Sequence, residues 1–222
     1  MKTAIVIGAT GLVGKQLVKL LLEDERYISV KVFVRRPTSI FHSKLEEEIV
    51  DFDKIDEWKH RLTGDELFSA LGTTIKKAGS KEAQYKIDFT YQFKIAEAAA
   101  LNGIENYFLV SSAGANTASN NFYLKIKGEL EEQIERLSFK KYIIIQPSLL
   151  LGHREEIRRG EKIASVLMPL VTKVIPPLKK YRPIEGLTVA RALQNTANSF
   201  LPNRTIRYTL DEIFSVAQSS TL

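Results

Sequence analysis

The 222-residue chain contains no cysteine, which excludes disulfides, thiolate metal sites and a cysteine nucleophile. Its three histidines, His42, His60 and His153, are scattered, without the paired spacing a zinc site needs. His153, just past a predicted strand, is the one of the three with reach into a pocket at the strand ends. Long hydrophobic runs are also missing. The longest apolar stretch, residues 163–171, is interrupted by Ser165 and Pro169 and falls well short of the ~20 residues of a membrane helix. The first ten residues, MKTAIVIGAT, lack the charged start, long apolar middle and small-residue cleavage site of a secretory leader. From these absences the expectation is a soluble, cytoplasmic protein with no membrane span.

Acidic excess is missing too. The net charge is +6, but the basic residues are spread along the chain, and no helix-turn-helix, zinc-finger or aromatic RNA-binding pattern accompanies them. A cleft for an anionic cofactor accounts for the same sign, so no specific nucleic acid is expected as partner. Hydrophobic residues make up 44% of the chain, enough for a real core. The length fits one α/β domain over residues 1–222, with residues 147–222 as a C-terminal segment on the substrate side.

Periodicity predicts alternating strands and helices. Strands are expected at Thr3–Ile7, Val30–Val34, Glu48–Val50, Leu67–Leu71, Tyr107–Val110 and Tyr142–Gln146. Helices are expected over 12–23, over 85–102 (stopped by Gly103) and over 121–137. The run Glu46-Glu47-Glu48 reads most simply as a solvated helix end. Alternation of this kind implies βαβ units and a parallel sheet buried on both faces. Past Pro147 the pattern loosens: residues 154–180 carry seven Lys/Arg against three Glu. That stretch reads as a helix and loop packed on the sheet, as a lid or wall of a substrate pocket, or as an apolar patch for a partner or membrane surface.

Three groups of residues carry chemistry. Gly8-Ala9-Thr10-Gly11-Leu12-Val13-Gly14 follows a strand directly and opens a helix. Gly8 permits the tight turn, Gly11 lets backbone amides approach a pyrophosphate, and Gly14 allows the helix to pack close to the strand. The helix N-terminus adds unpaired N–H groups and partial positive charge. At the end of the second strand, where NAD binders usually place an acid for the ribose 2′-hydroxyl, stand Arg35 and Arg36. A guanidinium can pair with a 2′-phosphate, which favours NADP(H) over NAD(H); the bland reading is two exposed arginines. Third, Ser111 and Ser112 end the fifth strand, and Tyr123 and Lys127 lie four apart on the next helix, hence on one face. A phenol ionises near pH ~10, and an adjacent ammonium favours its phenolate, making Tyr123 a proton donor and acceptor for a carbonyl or alcohol. Set against this is a core tyrosine beside a solvated lysine. The serines do not sit in a G-x-S-x-G elbow, which argues against a hydrolase.

The order GATGLVG, FSALGTT, VSSAGA, YLKIK and IIIQPSLLLG resembles that of atypical short-chain dehydrogenases/reductases, in particular the Tat-interacting-protein-like oxidoreductases, over nearly the whole chain. The resemblance implies a Rossmann-type doubly wound parallel sheet. It also implies that Gly8, Thr10, Gly11, Leu12 and Val13 line the pyrophosphate, with Arg35 and Arg36 at the 2′-phosphate and Asp51 and Phe52 flanking the adenine. Leu71, Gly72 and Thr73 would border the ribose, and Pro147, Ser148 and Leu149 the nicotinamide. Ser112, Tyr123 and Lys127 would form the catalytic trio, with Ser111 the less suited serine. Two positions depart from the pattern. Asp88 stands where many relatives keep asparagine, and Gln146 where arginine commonly precedes the proline. The chain runs some 75 residues past Pro147, little room for the sugar-nucleotide domain of extended members, so an epimerase is not expected. The expected function is NADPH-dependent reduction of a small-molecule carbonyl, or oxidation of an alcohol, by a monomer or homodimer. The alternative is an NADPH-sensing regulatory protein that binds cofactor and a protein partner without turnover.

Overall fold

The computed structural model describes residues 1–151 and 180–219. Seven strands build one sheet, every neighbouring pair parallel: β1 (Lys2–Ile7), β2 (Tyr27–Val34), β3 (Leu45–Ile49), β4 (Glu66–Ser69), β5 (Asn106–Val110), β6 (Lys141–Gln146) and, after the small parallel ladder of β7 (Leu150–Leu151) with β8 (Ile184–Glu185), β9 (Thr205–Thr209). Their order is β3-β2-β1-β4-β5-β6-β9. The main helices are α1 (Gly14–Glu23), α2 (residues 81–101), α3 (Phe122–Glu135), α4 (Gly186–Ala197) and α5 (Glu212–Gln218).

Successive side chains of a strand point to opposite faces, and both faces here are covered. Ala4, Val6, Val30, Val32, Phe108 and Ile143 pack with Leu17, Leu21, Val189, Leu193 and Ile213 of α1, α4 and α5. Ile5, Ile7, Phe33, Leu109 and Ile144 pack on the other side with Ile95 and Ala99 of α2, Leu130 and Ile134 of α3, and Trp58. Burial on both faces is why the inner strands read as near-continuous apolar runs. The fold is the expected Rossmann-type doubly wound α/β sheet.

Three details differ from the sequence reading. The third strand begins earlier, at Leu45, and Glu46–Glu48 lie within it rather than at a helix end. Among the described residues β3 pairs only with β2, and an edge strand tolerates acids that deter further strand addition; Arg61 pairs with Glu48 at 2.5 Å. The helix expected from Tyr85 starts at Lys81, capped by the Ser80 hydroxyl, which accepts the Ala83 N–H at 3.1 Å. Its middle, Lys86–Tyr91, is π-helical. The seventh strand, β9, was not anticipated. Its half-buried TIRYT sequence sits at the far edge and lacks the apolar run of the inner strands. His153 and the basic apolar stretch 154–180, all but Lys180, lie outside the described residues.

At the amino ends of the strands a buried acid ties the first and last parts of the chain together. Glu66, 1% exposed, accepts from the Lys2 ammonium at 2.7 Å and from the Tyr27 hydroxyl at 2.6 Å. Lys2 also donates to the Ala197 carbonyl at the end of α4, at 2.6 Å. Burial pushes the Glu66 carboxyl up, while Lys2 and Tyr27 pull it back. Removing one partner of a buried pair leaves an uncompensated charge, a loss of ~3–5 kcal/mol when both are fully buried. Because Lys2 is about one-third exposed, Lys2→Met is expected to lower stability by about 2–3 kcal/mol, read as the midpoint of urea unfolding with an unchanged slope. A midpoint within error of the native one would show that the ammonium is not holding this acid.

Candidate functional site

The strand order reverses between β1 and β4, which opens a crevice at their carboxyl ends. The glycine loop lies there. Gly8 has φ +82°, a left-handed conformation, and a side chain on it would lie 2.6 Å from the Ala70 carbonyl carbon at the end of β4. A side chain on Gly14 would lie 2.1 Å from the Gly8 carbonyl oxygen. The loop is therefore folded back onto the start of α1 more tightly than any Cβ permits. Thr10 and Gly11 face solvent and Leu12 is half-buried, while Val13 and Gly14 are buried. Among the described residues no side chain caps the α1 N-terminus, and its first turn holds no acid. An uncapped helix end with an exposed glycine turn before it fits the pyrophosphate of a dinucleotide.

The neighbouring residues gather by strand register. Ile7 pairs with Phe33 and with Ser69, so Arg35 and Arg36 on one side and Leu71, Gly72 and Thr73 on the other flank the loop. Both arginines are exposed. Asp51 follows β3; its carboxylate accepts the Asp53 N–H at 2.9 Å. Phe52 is buried, its ring against Trp58 and Tyr91 at 5.6 and 5.7 Å, so the ring is committed to the core and is not open to flank an adenine.

The second half of the crevice lies past β5 and β6. Ser111 and Ser112 part company there. Ser111 is buried and its hydroxyl donates to the Glu131 carboxylate, whereas Ser112 is half-exposed and, among the described residues, makes only a long contact to its neighbour's carbonyl, 3.4 Å. The loop after Ser112 returns along α3: the Asn116 N–H donates to the Leu124 carbonyl at 3.1 Å. Gly128 makes that return possible, since a Cβ there would lie 2.5 Å from the Thr117 nitrogen. The Asn121 side chain caps α3 by accepting the Tyr123 and Leu124 N–H groups at 3.0 and 3.2 Å. Tyr123 is half-buried. Lys127, one turn further on, is 2% exposed, and its ammonium donates to the Val110 carbonyl at the end of β5, at 3.4 Å. Beyond β6, the Pro147 carbonyl accepts the Ala113 N–H at 2.9 Å. The Ser148 hydroxyl donates to the Arg182 carbonyl at 2.5 Å, and Leu149 is half-buried before β7.

Sequence reasoning passed over the buried polar network beneath this half. Glu131 accepts both oxygens' worth of hydrogen bonds from the Gln146 amide, at 2.9 and 3.0 Å, and faces the Arg207 guanidinium of β9 at 3.5 Å. The cation missing at position 146 is thus supplied from the next strand. Glu131 lies four residues past Lys127 and eight past Tyr123, so the spacing was available as a signal; Arg207 was invisible without β9.

A family model described as NAD(P)H-binding matches residues 8–167. Among curated proteins, HTATIP2 of Rattus norvegicus is 35% identical over 167 residues, covering 73% of this chain and 69% of that protein. FMP52-1 of Scheffersomyces stipitis, named mitochondrial, is 36% identical over 200 residues, covering 88% of each. Among solved structures, the Bordetella bronchiseptica enzyme WbmH, in complex with NAD+, superposes with a TM-score of 0.70 at 14% identity, covering 94% of this chain and 75% of that one; at that identity the likeness is one of fold. The expectation of a cytoplasmic protein is overturned, because FMP52 relatives of Scheffersomyces stipitis, Aspergillus fumigatus and Candida glabrata are all named mitochondrial. The absences behind that expectation concern secretion and membrane spans, and they carry no information on mitochondrial import. No helix among the described residues is long and apolar enough to cross a membrane. With the model spanning the glycine loop through the end of β6, the relatives above 30% identity and the sheet order agreeing, the chain belongs to this NAD(P)H-binding family, as an atypical short-chain dehydrogenase/reductase resembling HTATIP2.

Proposed function

We propose that the chain is an NADPH-dependent oxidoreductase that interconverts a small-molecule carbonyl and its alcohol. Ser112, Tyr123 and Lys127 do the proton chemistry. The residues of the glycine loop, Arg35, Arg36, Asp51, the 71–73 loop, Ser111 and the 147–149 segment hold the cofactor. The observation that carries the reading is Lys127: an almost fully buried ammonium, anchored on the Val110 carbonyl, one helical turn from a half-buried tyrosine. Sequestering a lysine is costly, and a surface-solvated one, the bland reading of the motif, needs no such placement.

A nicotinamide dinucleotide held by these residues would supply the hydride, or accept it in the reverse direction. The protein's part begins as negative charge grows on the substrate oxygen. The Ser112 hydroxyl donates a hydrogen bond to that oxygen, and Tyr123 transfers its proton to it, leaving an alcohol and a phenolate. Lys127 opposes the charge left on Tyr123, and solvent returns the proton. Ser111, committed to Glu131, is not free for the same task.

Two measurements test this reading. Binding titrations are expected to favour NADPH over NADH by at least about tenfold, since each charge-assisted hydrogen bond contributes ~1.5–3 kcal/mol. Replacing Arg35 and Arg36 together by alanine is expected to erase that preference while leaving NADH binding near native; equal affinities in the native protein would defeat the NADPH assignment. In a panel of carbonyl compounds, Tyr123→Phe is expected to lower turnover of any active substrate by about 10²–10⁴-fold with NADPH affinity unchanged. A native rate in that variant sinks the catalytic assignment. A panel with no turnover by the native protein leaves cofactor binding without chemistry, which is the sensor reading.

A further inference from the structure

The positive charge at the crevice extends beyond what a dinucleotide needs. A dinucleotide concentrates its negative charge in the pyrophosphate and the 2′-phosphate, placed above at the glycine loop and at Arg35 and Arg36. Its nicotinamide half calls for no cation, since the oxidised ring is itself positive. Yet the segments around that half, residues 74–82, 111–125, 147–151 and 180–185, hold six cations against two acids, Glu82 and Glu185. The cations are Lys76, Lys77, Lys81, Lys125 and Lys180, all exposed, and Arg182, half-exposed. Among the described residues none of the six has a carboxylate within ion-pair distance, whereas Lys2, Arg26, Lys54, Lys59, Lys86 and Arg207 each do.

Two of these cations are seated on aromatic rings, one on each side of the site. Lys81 opens α2, and its ammonium lies over the ring of Phe122 at 5.4 Å. Phe122 begins α3 and immediately precedes Tyr123. Arg182 lies on the β6 side, where its carbonyl accepts the Ser148 hydroxyl at 2.5 Å. Its guanidinium lies over the Phe214 ring at 3.8 Å, in the first turn of α5 and just past the carboxyl end of β9. Its Nε is buried and has no partner among the described residues. A ring holds a cation in place without cancelling its charge, so N–H groups stay open to a ligand. The loop over residues 111–121 contains no charged residue at all. One sign of charge around a cleft focuses the field there and concentrates the opposite sign. We infer that the carbonyl substrate carries an anionic group, a carboxylate or a phosphate, received at the crevice mouth by Lys81 and Arg182. A guanidinium offers paired donors to either anion, and an ammonium offers a point charge. This substrate class belongs to the oxidoreductase function proposed above and rests on it.

The test uses the full chain with saturating NADPH and three matched aldehydes: para-carboxybenzaldehyde, its methyl ester and para-formylphenyl phosphate. The same three groups are placed on another carbonyl scaffold if that scaffold is the more active. At low salt, kcat/KM for the better anionic compound is expected to exceed that for the ester by about tenfold or more. The gap is expected to narrow as sodium chloride is raised, and the better of the two anions identifies the group. In Lys81→Gln and in Arg182→Gln the anionic-to-ester ratio is expected to fall toward one, chiefly through a raised KM for the anionic compound, with NADPH affinity near native. Lys81→Gln, at an exposed position, carries the test if Arg182→Gln does not fold. The inference is overturned if the ester is reduced as well as the anionic compounds, or if the ratio survives in both variants. Weakened NADPH binding in place of weakened substrate binding overturns it too, because the cations then serve the cofactor. If no carbonyl compound is reduced, calorimetry of the two anionic aldehydes on the NADPH-loaded protein decides. Binding that weakens about tenfold in Lys81→Gln keeps the anion site while the oxidoreductase reading fails; absence of binding, or binding that Lys81→Gln leaves unmoved, overturns the inference.

Discussion

The Gly8 carbonyl oxygen occupies the space where a side chain of residue 14 would stand, and the site depends on that contact. It forces the chain to leave β1, turn and enter α1 within a few residues, so that an uncapped helix end points across the crevice at the strand-order reversal. Everything else at the carboxyl edge is placed relative to this turn by strand register. The arginines follow β2, the 71–73 loop follows β4, and Ser112 follows β5. Because all six pairings in the large sheet are parallel, these loops emerge on one side.

The face of α3 that carries Tyr123, Lys127 and Glu131 converts helical spacing into a gradient of burial. Tyr123 is half-buried, Lys127 nearly sealed and Glu131 buried. Each deep charge is met by groups from other elements: the Val110 carbonyl of β5 for the lysine, Arg207 of β9 and Gln146 of β6 for the glutamate. Charges taken out of water are tolerated when opposite charges and hydrogen bonds surround them, and such surroundings also fix the helix against the sheet. The return of the Ser112 loop over Gly128 adds the third side.

Much of this was legible in the sequence because it is local. Strand runs, the glycine loop, the Tyr123–Lys127 spacing and the Ser-Ser pair are each contained within a few residues. What escaped is what two distant segments make together. Asp88 was noticed as a departure from the family pattern, yet the Thr73 amide it holds lies 15 positions away in a loop. Gln146 looked like a lost cation until β9 brought Arg207 beside Glu131. The edge strands β3 and β9 are polar on their open sides, so apolar periodicity marks them weakly, and the glutamate run of β3 passed for a helix end.

Gly186, the first residue of α4, has another close backbone contact: a Cβ on it would lie 2.5 Å from the Leu12 carbonyl oxygen. The glycine loop therefore rests against a helix distant from it in sequence, and Lys2 is held by the carbonyl that closes that same helix. Contacts across such a separation in sequence are long-range ones, so the shape of the glycine turn belongs to the whole fold and not to its local sequence alone.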